Sequence, residues 1–194
     1  MKNMLLIITI AGLIMLSFGC ATVSTNTNVS DFVLMSTETN SDTLVAVLFS
    51  SDLSIDHQVS IGGIRTPSKI NMTFNQMLNE YAFSKFPNQS IEAPTKISVH
   101  LQDYTIEQNM EGNEQAKAIF FGTGEASVEA KLRGYVLLTI NGEEMGRQNI
   151  VATEIVNYQT GSSTNLGRVY GDCGNKCVNK ALFIINNFLK SKDL

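Results

Sequence analysis

The chain has 194 residues with a formal net charge of −4 at pH 7, and 43% of its residues are hydrophobic. Its 14 Lys and Arg residues are scattered singly, so no basic patch is available to displace counterions from nucleic acid, and we exclude nucleic acid as a partner. The length beyond the apolar N-terminus suits one globular domain.

The N-terminus has the pattern of a secretory signal. Lys2 supplies a positive charge, and residues 4–16 form an apolar run that is shorter than the roughly 20 residues needed to span a bilayer as a helix. The run ends in Leu16-Ser17-Phe18-Gly19-Cys20. This segment resembles the lipobox of bacterial lipoproteins, which usually has an aliphatic residue where Ser17 stands. The alternatives are an ordinary signal peptide with an unrelated cysteine, or an uncleaved membrane anchor.

These observations divide the chain into three segments. We expect residues 1–19 to be a signal peptide, residues 20–30 to hold the lipidated Cys20 and a polar tether, and residues 31–194 to form a single domain. Because Ala21 rather than an aspartate follows the cysteine, we expect a palmitate-bearing lipoprotein of the cell outer membrane, facing the periplasm or exposed at the surface. The lipid then makes the membrane its first partner.

The first half of the domain combines strands with one helix. Short β-prone runs occur at 32–35 and 43–49. An amphipathic helix is predicted from 68 to about 85. A strand follows at 97–101, and the parity of the apolar residues then changes, which predicts either a bulge near Asp103 or a change of strand neighbour.

The second half contains a long hairpin and a terminal helix. Residues 126–140 alternate apolar and polar side chains, Asn141-Gly142 is a strong hairpin-turn signal, and 148–156 can return antiparallel. A final amphipathic helix is predicted from near Asp172 to about Lys190. The predicted class is α+β: an antiparallel or mixed sheet with a long central hairpin, packed on two amphipathic helices.

Two cysteines remain once Cys20 is assigned to lipid. Cys173 and Cys177 are four residues apart in a chain that we expect to be exported, and an oxidising periplasm favours a disulfide between them. Free thiols are one alternative. A redox pair usually has Cys-x-x-Cys spacing, and half of a metal site would need a nearby His or second Cys pair. We therefore predict a Cys173–Cys177 disulfide.

Few residues are suited to catalysis. The two histidines are His57, in a predicted loop, and His100, in a predicted strand, where a solvated or hydrogen-bonded side chain is a simpler interpretation than a base or ligand. The run from Phe120 to Gly124 lacks the ending of a phosphate-binding loop, so it is interpreted as a flexible connection, with an exposed contact patch as the alternative. We predict no enzyme activity, no catalytic or metal-binding residue and no cofactor.

This order of elements resembles small α/β lipoproteins of Gram-negative envelopes, among them auxiliary lipoproteins of ABC-type transport systems, YajG-like lipoproteins and the lipopolysaccharide-assembly lipoprotein. The resemblance is architectural and covers about residues 68–190. It implies a protein-binding, assembly or transport-accessory role with an envelope protein as partner. The alternative is a periplasmic lipoprotein that binds a lipid or small molecule. A cleft lined by Phe74, Tyr81 and Leu138 would favour that alternative, and a packed core with an exposed apolar edge would favour docking.

Overall fold

The structure, a computed structural model, describes residues 40, 42–61, 64–161 and 165–194. The predictions for the signal peptide, the lipidation of Cys20, the tether and the strand at 32–35 lie outside these residues. Within the described residues the chain order is β1 (Val45–Ser51), β2 (Gln58–Ile61), β3 (Ile64–Pro67), α1 (Ile70–Lys85), β4 (Thr95–Asn109), α2 (Gly112–Phe121), β5 (Gly124–Ile140), β6 (Glu143–Thr160) and α3 (Leu166–Lys190).

Four strands form one mixed sheet in the order β1-β4-β5-β6. β1 runs parallel to β4, whereas the β4–β5 and β5–β6 pairs are antiparallel. β2 and β3 form a separate two-stranded hairpin. The predicted α+β class, mixed sheet and long hairpin are confirmed, but the hairpin is not wholly central. β5 lies inside the sheet, and β6 forms its edge.

The long hairpin turns at the predicted dipeptide. Asn141 and Gly142 have φ values of 53° and 86°. A type I′ turn requires positive φ at both central residues, and Asn followed by Gly is the sequence that tolerates this best. The strands on either side, β5 and β6, are 17 and 18 residues long, so the hairpin dominates the sheet.

A bulge in β4 accounts for the change of parity seen in the sequence. Leu101 is opposite Gly134 and Asp103 is opposite Arg133, so Gln102 is an extra residue in β4. Tyr104 therefore returns to the covered face of the sheet, where it is buried. The predicted bulge near Asp103 is confirmed.

The helices α1 and α3 pack on one face of the sheet and enclose the core. Tyr81 of α1 donates a hydrogen bond of 3.0 Å to Asn186 Oδ1 of α3, and both side chains are buried. The core combines the apolar faces of these two helices with alternate residues of the central strands, including Phe74, Met77, Leu78, Ile97, Val99, Val128, Leu132, Leu138, Val178, Leu182 and Ile185.

The helical segments differ from the prediction in two respects. α3 begins at Leu166 rather than near Asp172, and Asn165 caps it by accepting a hydrogen bond of 3.1 Å from the Arg168 backbone N–H. In addition, α2 (Gly112–Phe121) is a helix that the sequence did not indicate. It ends at Gly122, whose φ of 68° is the left-handed conformation common at helix C-termini.

Candidate functional site

A row of contacting side chains crosses the sheet on the face opposite α1 and α3. The strand register aligns Ser50, His100 and Tyr135 on β1, β4 and β5. Ser50 Oγ lies 2.8 Å from His100 Nδ1, and the His100 and Tyr135 ring centroids are 5.0 Å apart. On β6, the guanidinium carbon of Arg147 lies 3.8 Å from the Tyr135 centroid, a cation–π contact. We call these four residues the cross-strand row.

His100 is held from both sides. Besides Ser50 at Nδ1, its Nε2 lies 3.0 Å from Asp52 Oδ2. When the Ser50 hydroxyl donates to Nδ1, Nε2 carries the ring proton and donates to Asp52. A hydroxyl, an imidazole and a carboxylate are the groups of a hydrolytic triad, but the Asp52 side chain is 62% exposed. Water screens such a pair, and an open sheet face does not exclude water from a reaction. The geometry therefore suits an ordered polar surface.

His57 has a structural role. Its Nε2 donates a hydrogen bond of 2.9 Å to the Tyr104 carbonyl oxygen, and the two rings meet edge to face with centroids 6.4 Å apart. The His57 carbonyl also accepts a hydrogen bond of 2.8 Å from the Ser68 N–H. These contacts attach the β2–β3 hairpin to β4 and to the start of α1.

A groove of about 850 Å³ opens at the end of the sheet where α2 meets the strands. Its volume lies within the range of small-molecule sites. The lining comes from the end of β4, the start of α2, the start of β5 and the end of β6, and it is mainly polar: Asn109, Met110, Glu111, Glu114, Glu125, Ala126, Ser127, Asn157, Tyr158 and Gln159.

A hydrogen-bonded chain supports one wall of the groove. Gln108 Nε2 donates to the Tyr158 hydroxyl at 2.5 Å, and the Tyr170 hydroxyl donates to Gln108 Oε1 at 3.3 Å. Burial raises the pKa of Tyr170 and of Tyr158, although the Gln108 hydrogen bond opposes the rise at Tyr158. Both phenols are therefore neutral at physiological pH and act as hydrogen-bonding groups.

Glu114 connects the helix α2 to β5 through a hydrogen bond. Its carboxylate accepts a hydrogen bond of 3.0 Å from the Glu125 backbone N–H and pairs with Lys117 at 2.5 Å. The Lys117 hydrogen bond, followed by that from Glu125, holds the pKa of the Glu114 carboxyl below its usual value. Beyond this attachment, Phe120 and Phe121 are 78% and 77% exposed. The two rings are thus exposed at the end of a helix, as the second interpretation of this segment requires.

The structure shows a packed core where an apolar cleft would have favoured ligand binding. Phe74, Tyr81 and Leu138 are each about 1% exposed and belong to one packed cluster between α1, α3 and the sheet. The groove lies at the α2 end of the sheet and is lined mostly by polar groups, so its chemistry differs from that of an apolar ligand cavity.

The predicted Cys173–Cys177 disulfide is not formed in the structure. Cys173 and Cys177 are free, buried thiols on the covered face of α3. Cys173 Sγ lies within hydrogen-bonding distance of the carbonyl oxygens of Val128 and Glu154, and Cys177 Sγ of those of Ala130 and Ala152, at 3.3–3.5 Å; each thiol has one hydrogen to share between its two carbonyls. Burial raises their pKa values to about 11 and about 12. The segment between them is a helical turn rather than a loop, and each sulfur is directed at the sheet.

Comparisons with known proteins identify no family. No protein-family model matches the chain, and no curated protein matches it. Among solved structures, rare lipoprotein B from Shewanella oneidensis is 9% identical, with a TM-score of 0.47 over 78% of this chain and 99% of that one. A DUF330 protein from Xanthomonas campestris is 10% identical (TM-score 0.42, 80% and 90%), and a minor lipoprotein from Acinetobacter baumannii is 8% identical (TM-score 0.41, 78% and 92%). These low similarities do not decide a function.

Among the helices of the described residues, none combines the length and the hydrophobicity required to cross a bilayer.

Proposed function

We propose that the chain is a lipoprotein of a bacterial outer membrane, anchored through Cys20, that binds an envelope protein in an assembly or transport-accessory role and does not act as an enzyme. The observation that carries this proposal is the apolar run of residues 4–16 followed by the lipobox-like segment that ends at Cys20. A domain attached in this way works at a membrane surface, where its exposed faces are available to other envelope components.

The described residues favour docking over binding of an apolar ligand in the core. The space between helices and sheet is filled by packed side chains. In contrast, Phe120 and Phe121 are two adjacent aromatic side chains largely exposed to water beside the groove. Aromatic residues are enriched at the centres of protein interfaces, because they bury a large area with few rotatable bonds. We propose this pair as the centre of the docking surface.

The anchoring part of the proposal is tested by lipid labelling. Cells expressing the chain are grown with a palmitate analogue, and labelling of Cys20→Ala is compared with that of Cys173→Ala. We expect the first variant to lose the label and the second to keep it. Undiminished labelling of Cys20→Ala contradicts the anchor. On a density gradient the unaltered protein should follow outer-membrane markers, and Ala21→Asp should shift it towards the inner membrane.

The docking part is tested by site-specific photo-crosslinking in intact envelopes. A photoreactive amino acid at Phe121 should give a discrete adduct with another protein. The matched control places the same group at Phe183, which is exposed on α3, a helix that contributes no residue to the groove lining. Equal adducts from both positions, or none from Phe121, would argue against a docking surface at α2.

The groove supports a second candidate, the binding of a polar small molecule. Its volume of about 850 Å³ and its amide, hydroxyl and carboxylate lining favour such a ligand over a lipid chain. Native mass spectrometry of the purified protein should then show a bound mass. Ala126→Leu narrows the groove and should remove that mass, while Ala46→Leu, on β1 at the opposite edge of the sheet, should not. Thermal unfolding of both variants checks that the fold is kept.

A further inference from the structure

The edge strand β6 exposes two large aliphatic side chains on one face. Val151 is 63% exposed and Ile155 is 56% exposed, and the even spacing places both on the face opposite α3. Among the strands of the described residues, β6 has one neighbour, β5, along its 18 residues. A long edge strand with apolar side chains is a template for pairing with another strand. The partner strand must therefore match both its hydrogen-bonding groups and its exposed side chains.

The cysteine contacts reveal which main-chain groups face the open edge. Cys173 Sγ lies 3.3 Å from Val128 O and 3.4 Å from Glu154 O, so both oxygens point into the gap between β5 and β6. Main-chain groups alternate in direction along a strand. The odd-numbered residues of β6 therefore direct their N–H and C=O groups outwards. At the middle of that edge, Lys180 Nζ donates to Thr153 O at 2.7 Å.

We propose that β6 pairs antiparallel with β6 of a second copy of this chain, with Thr153 on the two-fold axis, so that the two sheets become one sheet of eight strands. This register places Val151 of each copy opposite Ile155 of the other, which buries the two exposed aliphatic side chains against each other. It also places Asn149 opposite Asn157. Pairing of residues 147–159 would add on the order of a dozen main-chain hydrogen bonds.

The charges permit this register. Between residues 147 and 159 the charged side chains are Arg147 and Glu154. In the pairing centred on Thr153, Arg147 meets Gln159 and Glu154 meets Ala152, so no like charges are directly opposed. Lys180 lies 3.9 Å from Glu154 in each copy, which brings two lysines and two glutamates to the axis. Lys180 need not leave Thr153, because a carbonyl oxygen accepts two hydrogen bonds.

The position of α3 is also compatible with pairing of the two β6 strands. The cysteine contacts place α3 over the gap between β5 and β6. In a sheet of eight strands the two equivalent gaps are two strand spacings apart, which is about 10 Å. Packed helices have interaxial distances of about 8–10 Å. The two α3 helices would thus lie side by side at a separation typical of packed helices. This inference is independent of the identity of the envelope partner.

Cysteine cross-linking of the full-length protein in membranes tests the register. Only a residue on the axis meets its own copy, so Thr153→Cys should shift from monomer to disulfide-linked dimer on a non-reducing gel after treatment with copper phenanthroline. Asn149→Cys and Asn157→Cys should each remain monomeric alone and should form a dimer when expressed together. The native Cys173 and Cys177 thiols are buried and give no background.

Monomeric Thr153→Cys, or equal dimer from Asn149→Cys alone, would overturn the proposal, as would cross-linking of Thr153→Cys to a different protein. A second measurement avoids an engineered thiol. Light scattering in detergent should give a dimer for the unaltered protein and a monomer for Ile155→Lys. The control, Ile91→Lys, changes an exposed residue outside the strand and should remain dimeric. A monomer for the unaltered protein likewise contradicts the inference.

Discussion

The two faces of the central sheet are built from the same strands but follow different rules. On the covered face, Val128 and Leu132 are buried under α3, and shape and hydrophobicity decide what is tolerated. On the open face, Lys131 and Tyr135 alternate with them, and contacts depend on which residues the register places opposite each other. Alternation in one strand therefore separates residues that form the core on one side from residues that form the open polar face on the other.

The largest contrast is expected between adjacent residues of β5. Leu132 is fully buried, and Leu132→Ala should lower the free energy of unfolding by about 3 kcal/mol through lost apolar burial and a residual cavity. Lys131, one residue earlier, pairs with Glu129 on the open face, and Lys131→Ala should change stability by less than about 0.5 kcal/mol. Urea unfolding of both variants measures the difference. Similar losses for the two would contradict the assignment of faces.

A second contrast concerns the bulge in β4. A Cβ atom at Gly134 would lie 2.2 Å from the His100 carbonyl oxygen, a backbone atom that cannot move freely. Gly134→Ala should therefore cost about 2 kcal/mol of stability as the strands are forced apart. At Gly112 an added Cβ meets no atom within 4 Å, and Gly112→Ala should be neutral or slightly stabilising. Thermal unfolding distinguishes the two, and a neutral Gly134→Ala would show that the bulge is misplaced.

A smaller effect should separate two tyrosines on opposite faces. Tyr81→Phe removes the hydrogen bond to the buried Asn186 and should cost about 1 kcal/mol, because a buried polar atom loses a partner. Tyr135→Phe keeps the ring that packs between His100 and Arg147 and should leave stability unchanged. Denaturant titrations resolve the difference. An equal effect would mean that the α1–α3 contact contributes little.

The two buried thiols should have the smallest effect on stability at neutral pH. In alkali, their effect on the free energy of unfolding becomes measurable. Cys173 and Cys177 have pKa values raised by burial to about 11 and about 12, from an ordinary value of 9.0. Below about pH 9 both states hold the protons, so stability is unaffected. Above about pH 9 the thiols of the unfolded chain lose their protons before those of the folded protein do. The free energy of unfolding should therefore fall as pH rises towards 11.

The control for this prediction is the double variant Cys173→Ala, Cys177→Ala. Buried tyrosines such as Tyr81 titrate in the same direction, so the variant should have a shallower, not a flat, decline with pH. A thiol reagent at pH 8 should modify neither cysteine until the protein unfolds. Rapid modification of the folded protein would contradict the burial of Cys173 and Cys177. If neither cysteine reacts after unfolding, the pair forms a disulfide and the structure is wrong at this point.

The periodic elements could be predicted because their signals are local. Apolar spacing marked α1, strict alternation marked β5, and Asn141-Gly142 marked the turn. The predicted start of α3 is too late because Gly167 and Gly171 lower the helix propensity of its first turns, which tertiary packing stabilises.

The candidate sites were largely out of reach of sequence reasoning. α2 was missed because it is short and begins with Gly112 and Asn113, both weak helix formers. The cross-strand row joins residues up to 97 positions apart, from Ser50 to Arg147, so it depends on the register of four strands, which alternation within a strand does not specify. The disulfide prediction rested on an oxidising compartment and a short spacing, whereas the helix that carries both cysteines directs each sulfur at the sheet.

The direction of the parallel strand β1 determines how the domain is presented. The described chain enters the sheet at Val45, which lies in register with Thr95 and, through it, with Ile140 beside the hairpin turn. The groove lies at the other end of β5, which has 17 residues and is roughly 50 Å long. The sheet therefore separates the point where the described chain enters from α2 and the groove by most of the length of its longest strands.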